Sequence, residues 1–229
     1  MVQLGRHAGR THLRAAFTAL MLLGLTADAG AAGYGPTQFV RAFEKARDGV
    51  VAVEARQGTL RRRGSGFVAA PNGLIVCASY TVERAESVRV HVGGVWQDAR
   101  VLALEPEKRV ALLQVSTTTP LRALAVAREA ELKLGTWVVA VERKANGKAH
   151  PIAGTVSLVP DKKPSARGDI VMVDAPAMAG APLVNLQGEV VGISLGGITK
   201  QRGRAISLAP VRDFLRQAAS AAPTADAND

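Results

Sequence analysis

The 229-residue sequence contains one cysteine, Cys77. No internal disulfide can form, so burial and hydrogen bonding must hold the fold even in an oxidising compartment. Cys77 lies in the apolar run Leu74-Ile75-Val76-Cys77-Ala78, which reads as core rather than as a reactive thiol. Histidine is nearly as scarce. Of four, His7 and His12 precede residue 32, leaving His91 and His150. Two distant histidines and one core cysteine give no metal-ligand spacing, so no metal is expected, and no cofactor. Aromatic residues make up 4% of the chain. They are too few to interleave basic clusters with stacking rings, which argues against nucleic acid as a partner. Acidic residues number 19 against 29 lysines and arginines. Removing residues 1–31 takes away three basic and one acidic side chain and leaves a net charge of +8. That balance favours anionic partners, including an anionic envelope surface. Long hydrophobic runs are missing too. The apolar stretch 15–25 is too short to span a bilayer comfortably.

That stretch follows a basic segment (Arg6, Arg10, Arg14) and precedes small residues, with Ala27-Asp28-Ala29 and Ala29-Gly30-Ala31 as cleavage sites. The layout is that of a secretory signal peptide over residues 1–31, with an uncleaved anchor as the other reading. Export to a periplasmic or extracellular space is expected.

Residues 36–47 have helical spacing, with Phe39, Phe43 and Ala46 on one face, Val40 beside them, and Thr37 as a cap. Beyond Asp48-Gly49 the period changes. Strands are predicted at 50–56, on both sides of Pro71-Asn72-Gly73, at 87–92, 96–104 and 110–115, with 57–63 as a basic loop. The Asn-Gly pair is a strong hairpin signal because both residues tolerate positive φ. In 87–92 the alternation puts Val88, Val90 and Val92 inward and Arg89 and His91 outward. Residues 117–130 read as a crossover. A second set of strands is predicted at 136–143, 150–159, 169–175, 182–187, 189–195 and 204–209. Many short strands with regular turns and little helix predict an all-β fold of paired barrels, about 50–116 and about 131–209. Pro210 opens a closing helix, 210–219, and 220–229 read as a disordered tail.

Five segments carry a family resemblance: GSGFVAAPNGLIV, VALLQV, APLVN, EVVGI and RAISLAPVRDFL. In order and spacing they resemble the protease domain of HtrA-type (DegP-like) serine proteases, over roughly residues 37–217. The resemblance implies two six-stranded antiparallel β-barrels with a cleft between them, the trypsin-like architecture; proteins of that family normally carry PDZ domains after the protease domain, and none is expected here. Residues 177–185, AMAGAPLVN, stand where that family has GNSGGPLVN. Gly180, Pro182, Leu183, Val184 and Asn185 match, and Ala179 stands at the serine. The resemblance also carries the histidine position onto Tyr80 and the aspartate position onto Arg109. Alanine has no atom that attacks a carbonyl. Tyrosine, titrating near ~10, is a poor proton acceptor at neutral pH. Arginine cannot stabilise an imidazolium. The implied oxyanion loop, Ala177, Met178 and Gly180, has alanine where the family has the glycine that supplies an N–H. His91 and His150 match no active-site position, and Ser79 and Ser194 read as strand serines.

The expectation is therefore a catalytically inactive serine-protease homologue, not an enzyme, binding a peptide or protein partner along Gly192, Ile193, Ser194, Leu195 and Gly196 by strand addition. The alternatives are an active HtrA-like endopeptidase with non-standard catalytic residues, and a basic envelope-associated structural protein. Arg61, Arg62 and Arg63 are candidates for basic docking; Lys162, Lys163, Arg167 and Lys200, Arg202, Arg204 form further clusters. Tyr80 and Arg109 are a candidate pair within the cleft. Oligomeric state is left open.

Overall fold

The computed structural model describes residues 35–128, 132–159, 170–208 and 212. The expected leader, the tail, the closing helix apart from Arg212, and the cluster Lys162, Lys163 and Arg167 lie outside them. Helix α1 (Pro36–Ala46) opens on proline, whose missing N–H costs nothing in a first turn. Thr37, expected as the cap, lies inside that turn. Ala42 and Ala46 are buried, Phe39 and Phe43 pack partly against the core, and Val40 stays 58% exposed.

Six antiparallel strands then close a first barrel: β1 (Val50–Gln57), β2 (Leu60–Ala70), β3 (Leu74–Ala78), β4 (Ser87–Val92), β5 (Val95–Glu105) and β6 (Val110–Val115), in the order β1-β2-β3-β6-β5-β4. A one-turn helix, α2 (Ser79–Val82), follows β3. The second barrel consists of β7 (Trp137–Arg143), β8 (Ala149–Leu158), β9 (Ile170–Val173), β10 (Pro182–Val184), β11 (Val190–Gly197) and β12 (Gly203–Ser207), in the order β10-β11-β12-β9-β8-β7. The expected pair of six-stranded antiparallel barrels is thus present.

Residues 60–63, expected as loop, are strand. Gln57 pairs with Leu60 and the ladder runs unbroken to Val50 opposite Phe67. Consecutive arginines are tolerated there because alternate side chains leave on opposite faces and their stems lie along the sheet. The strand expected over 182–187 stops at Val184. The Asn185 side-chain oxygen accepts from the N–H groups of Gln187 (3.0 Å) and Glu189 (2.9 Å). That side chain imitates a turn and ends the ladder.

The two hydrophobic patterns in the sequence mark two kinds of strand. β3 (LIVCA) and β6 (VALLQV) are nearly continuous apolar runs, and both of their faces are covered. Ile75, Cys77, Ala111 and Leu113 point into the first barrel with Val51, Val53 and Val90. Leu74, Val76, Val110 and Leu112 point the other way, into a shared core with Val139, Val141, Val184, Ile193 and Ile206 of the second barrel. β4, by contrast, alternates and faces solvent on one side. Phe67, fully buried in the shared core, contributes about 2–3 kcal/mol through burial. Residues 121–127 cross between the barrels in extended form. The Leu124 N–H donates to Val68 O (2.9 Å) and the Ala127 N–H to Val190 O (3.0 Å).

Arg143 fastens the barrels at a second place. From the end of β7 its guanidinium donates to the carbonyls of Arg47, Val50 and Gly147. Its backbone N–H meets the Ser65 hydroxyl of β2 at 3.0 Å. The mutual position of the barrel walls is therefore fixed by apolar packing on one side and by a charged fork on the other.

Candidate functional site

Residues 174–181 leave β9 and enter β10 through an irregular loop that is held at every turn. The Ala177 N–H donates to Ala175 O (2.8 Å), and the Met178 N–H to the carboxylate Oε2 of Glu142 (3.0 Å), a 7%-exposed side chain on β7. The Ala179 carbonyl accepts from the Ser65 N–H (2.8 Å). The Gly180 N–H donates to Ser194 O (2.8 Å), and the Ser194 hydroxyl donates to Ala177 O (3.1 Å) while accepting from the Gly196 N–H (3.1 Å). Gly180 turns the chain at φ +80°, and a Cβ there would sit 2.0 Å from Ser65 O. Only glycine fits this closeness and this backbone angle. Gly64 is similarly tight, with Ala179 O 2.7 Å from where its Cβ would be.

On the first-barrel side, α2 is tied to the turn before β6. The Ser79 N–H donates to Arg109 O (3.1 Å), and the Arg109 N–H to Pro106 O (3.0 Å). Arg109 has φ +60°, a left-handed conformation that costs a non-glycine residue about 1–2 kcal/mol. Arg62 reaches across from β2, its guanidinium donating to Tyr80 O, Glu83 O and Gln57 Oε1.

Between these walls lies a cleft of about 670 Å³. Tyr80, Arg109 and Ala179 all line it, with Met178, Leu195, Gly196, Gly197, Ile170 and Arg204. Three residues separated by long stretches of sequence are thus brought together where the resemblance placed a catalytic constellation. Ala179 is 3% exposed and presents a methyl group. Burial raises the Tyr80 phenol above its ordinary value, and the positive charge of Arg204 opposes that rise. Arg204 shares the cleft with Tyr80, and Arg109 Nη1 donates to Glu107 O at 3.5 Å. Ser79 and Tyr80 are the hydroxyl-bearing residues along the cleft.

Of the five residues expected to receive a peptide, Leu195 and Gly196 line the cleft. Gly192 and Ile193 do not, because they are laddered to β10 on one side and β12 on the other. A Cβ on Gly192 would meet Ile206 O at 2.7 Å, inside the barrel. Ser194 is fully buried and its hydroxyl is engaged on both sides. Arg61, Arg62 and Arg63 do not share a face. Arg61 and Arg63 pair with buried Glu54 at 3.5 and 3.0 Å, and Arg62 turns to α2. Gly197, Ile170 and Arg204 line the cleft as well, and nothing in their local sequence announces it. Arg204, on the strand predicted over 204–209, lies on β12 with its side chain exposed between buried Gly203 and Ala205. Cys77 is fully buried, and burial pushes its thiol up to about 12. Among the described residues, no three His, Cys, Asp or Glu side chains come together as a metal site.

Comparison with known proteins bears directly on this geometry. A family model described as "Trypsin-like peptidase domain" matches residues 64–193. The chain is similar to "Serine protease HTRA2, mitochondrial" of Bos taurus, 34% identical over 67% of this chain and 36% of that protein. It is 31% identical to "Serine protease HTRA1B" of Danio rerio, over 76% of this chain and 40% of the relative. A "Probable periplasmic serine endoprotease DegP-like" of Ectopseudomonas mendocina is 30% identical, over 65% and 32% respectively. The chain therefore spans about a third to two-fifths of the length of these relatives. The expectation that the chain is not an enzyme is corrected by these matches. The matching family is one of peptidases, and the relatives are named serine proteases.

Proposed function

Starting from the fact that this chain belongs to the trypsin-like peptidase domain family, in its HtrA-type branch, we propose that its cleft binds an extended segment of a protein partner, added as a strand beside Leu195–Gly197. The observation that carries this reading is the open edge of β11. The ladder from β10 to β11 reaches Ile193 opposite Pro182, and the bonds of Ser194 are its last. From Leu195 onward β12 lies on one side and the cleft on the other. A strand edge that no described strand pairs, beside a groove, is what peptide recognition by strand addition requires. At present the Ser194 hydroxyl accepts from the Gly196 N–H. A peptide carbonyl replaces that hydroxyl at low cost, because one neutral hydrogen bond is exchanged for another.

Any bond-breaking step in this cleft runs through a group other than residue 179, since a methyl carbon is not a nucleophile. An exported location is part of the proposal. It is supported by the leader-like residues 1–31 and by the word "periplasmic" in the name of the bacterial relative.

The test is binding of fluorescein-labelled extended nonapeptides to the purified protein, read by anisotropy, against Gly197→Trp, which fills the cleft wall. Saturable binding that the substitution weakens at least about tenfold, roughly 1.4 kcal/mol, is expected, with the thermal melt as the check that the variant stays folded, since a Cβ at residue 197 would stand 3.3 Å from Pro176 Cβ. Equal affinity for both proteins defeats the proposal. Mass spectrometry of the recovered peptide reads cleavage in the same samples.

A further inference from the structure

Resting on the cleft reading above, we propose that the cleft selects extended peptides that carry an acidic side chain, and that the Arg204 guanidinium recognises it. Among the described residues, the cleft is lined by three arginines, Arg63, Arg109 and Arg204, and by one acid, Glu83. Two of the three cations already have work. Arg63 pairs with Glu54 at 3.0 Å, and Arg109 reaches the Glu107 carbonyl. Arg204 differs. It is exposed on β12, in register with Gly196 on β11, and no described residue makes an ion pair or a hydrogen bond with its side chain. Among the described residues, Asp174, at the end of the neighbouring β9, faces Arg202, at 4.0 Å.

Arg204 is nevertheless aimed at the cleft rather than at bulk solvent. It lines the cavity, and its charge is felt at the Tyr80 phenol. The Tyr80 hydroxyl is 3.5 Å from where a Cβ of Gly196 would stand. An uncommitted guanidinium, a phenolic O–H and the open edge of β11 therefore converge on one spot. Both groups donate hydrogen bonds, and a guanidinium fork matches a carboxylate in shape and charge. A peptide running beside Leu195–Gly197 shows alternate side chains to opposite faces. Only one or two of its positions can then meet Arg204.

The experiment uses two series of capped, labelled nonapeptides built of serine, threonine and valine. One carries a single glutamate moved through each position, and the other a glutamine at the same places. The native chain is expected to bind the glutamate peptide at one or two neighbouring positions about tenfold more tightly than its glutamine twin, and to lose the difference as salt rises. Arg204→Gln is expected to abolish the difference while keeping affinity for the glutamine series within about twofold. Arg204→Lys keeps the charge but loses the fork, and should retain part of the preference. Arg100→Gln, an exposed arginine on β5, should retain all of it. Equal binding of both series by the native chain overturns the inference and leaves the cleft reading standing. A preference that survives in Arg204→Gln overturns the assignment to Arg204. Failure of both series to bind overturns the cleft reading and this inference together.

Discussion

Gly180 offers a test in which one substitution separates backbone conformation from backbone contact. Gly180 and Gly93 both have left-handed backbones, φ +80° and +60°. Replacing either by alanine incurs the same penalty of about 1–2 kcal/mol. They differ in what surrounds the new methyl group. At Gly93 nothing lies within 4 Å, whereas at Gly180 the Cβ would stand 2.0 Å from Ser65 O and 3.1 Å from Ala78 N. Ordinary carbon–oxygen contacts begin near ~3.3 Å, so the loop and β2 must part by more than about 1 Å. That movement breaks the bond from the Ser65 N–H to Ala179 O, and strains the one from the Gly180 N–H to Ser194 O, both 2.8 Å. Losing such bonds between buried groups costs about 1–3 kcal/mol each. With both bonds lost, Gly180→Ala is therefore expected to destabilise by about 3–8 kcal/mol, a large part of a typical domain stability of about 5–15 kcal/mol, and Gly93→Ala by about 1–2 kcal/mol. Urea unfolding followed by Trp96 and Trp137 fluorescence measures both, with equal slopes as the check on two-state behaviour. If the two variants fall within about 1 kcal/mol of each other, the close approach of loop and β2 is not what the geometry implies.

Three further outcomes follow from the same contacts. The Cys77 thiol, raised from 9.0 to about 12 in the folded chain, ionises first in the unfolded chain. Its contribution is complete below pH 9.0 and falls away as pH climbs toward about 12. Native protein should therefore lose about 3 kcal/mol more than Cys77→Ala between pH ~8 and ~11; parallel pH profiles in urea titrations would refute this. Arg143→Met removes two donor contacts to the first-barrel side, at Val50 O and Arg47 O, and one within its own barrel, at Gly147 O, and should cost about 2–3 kcal/mol, discounted because the side chain is only half buried. Arg143→Lys should recover a minority of that, and unchanged urea midpoints would rule the fork out as a fastener. Glu142→Leu removes the acceptor of the Met178 N–H and should cost about 1–2 kcal/mol. Amide exchange at Met178 and its neighbours should quicken with it, and protection unchanged from the native chain would count against the cap.

Some of this molecule could be read from the chain alone because the physics involved is local. Apolar runs without alternation, LIVCA and VALLQV, mark strands covered on both faces, and the alternating SVRVHV marks one that is half in water. Five segments in the right order and spacing, among them Pro182–Asn185, point to the family, because a shared order of strands and turns is a property of the chain alone. Other features depend on partners distant in sequence. Nothing in Arg61-Arg62-Arg63 announces that Glu54 and the carbonyls of Tyr80 and Glu83 will claim them, so a stretch of strand reads as a charged loop. Gly192 looks as open as Gly196 until β10 and β12 are both in place. Arg204 resembles its neighbours Lys200 and Arg202 until the barrel closes and turns it alone toward Tyr80. The order of residues determined which segments are strands and which family they compose. Only closure of the barrels decided which edges and which charges are left without a partner among the described residues, because those are properties of the neighbours a side chain acquires in space.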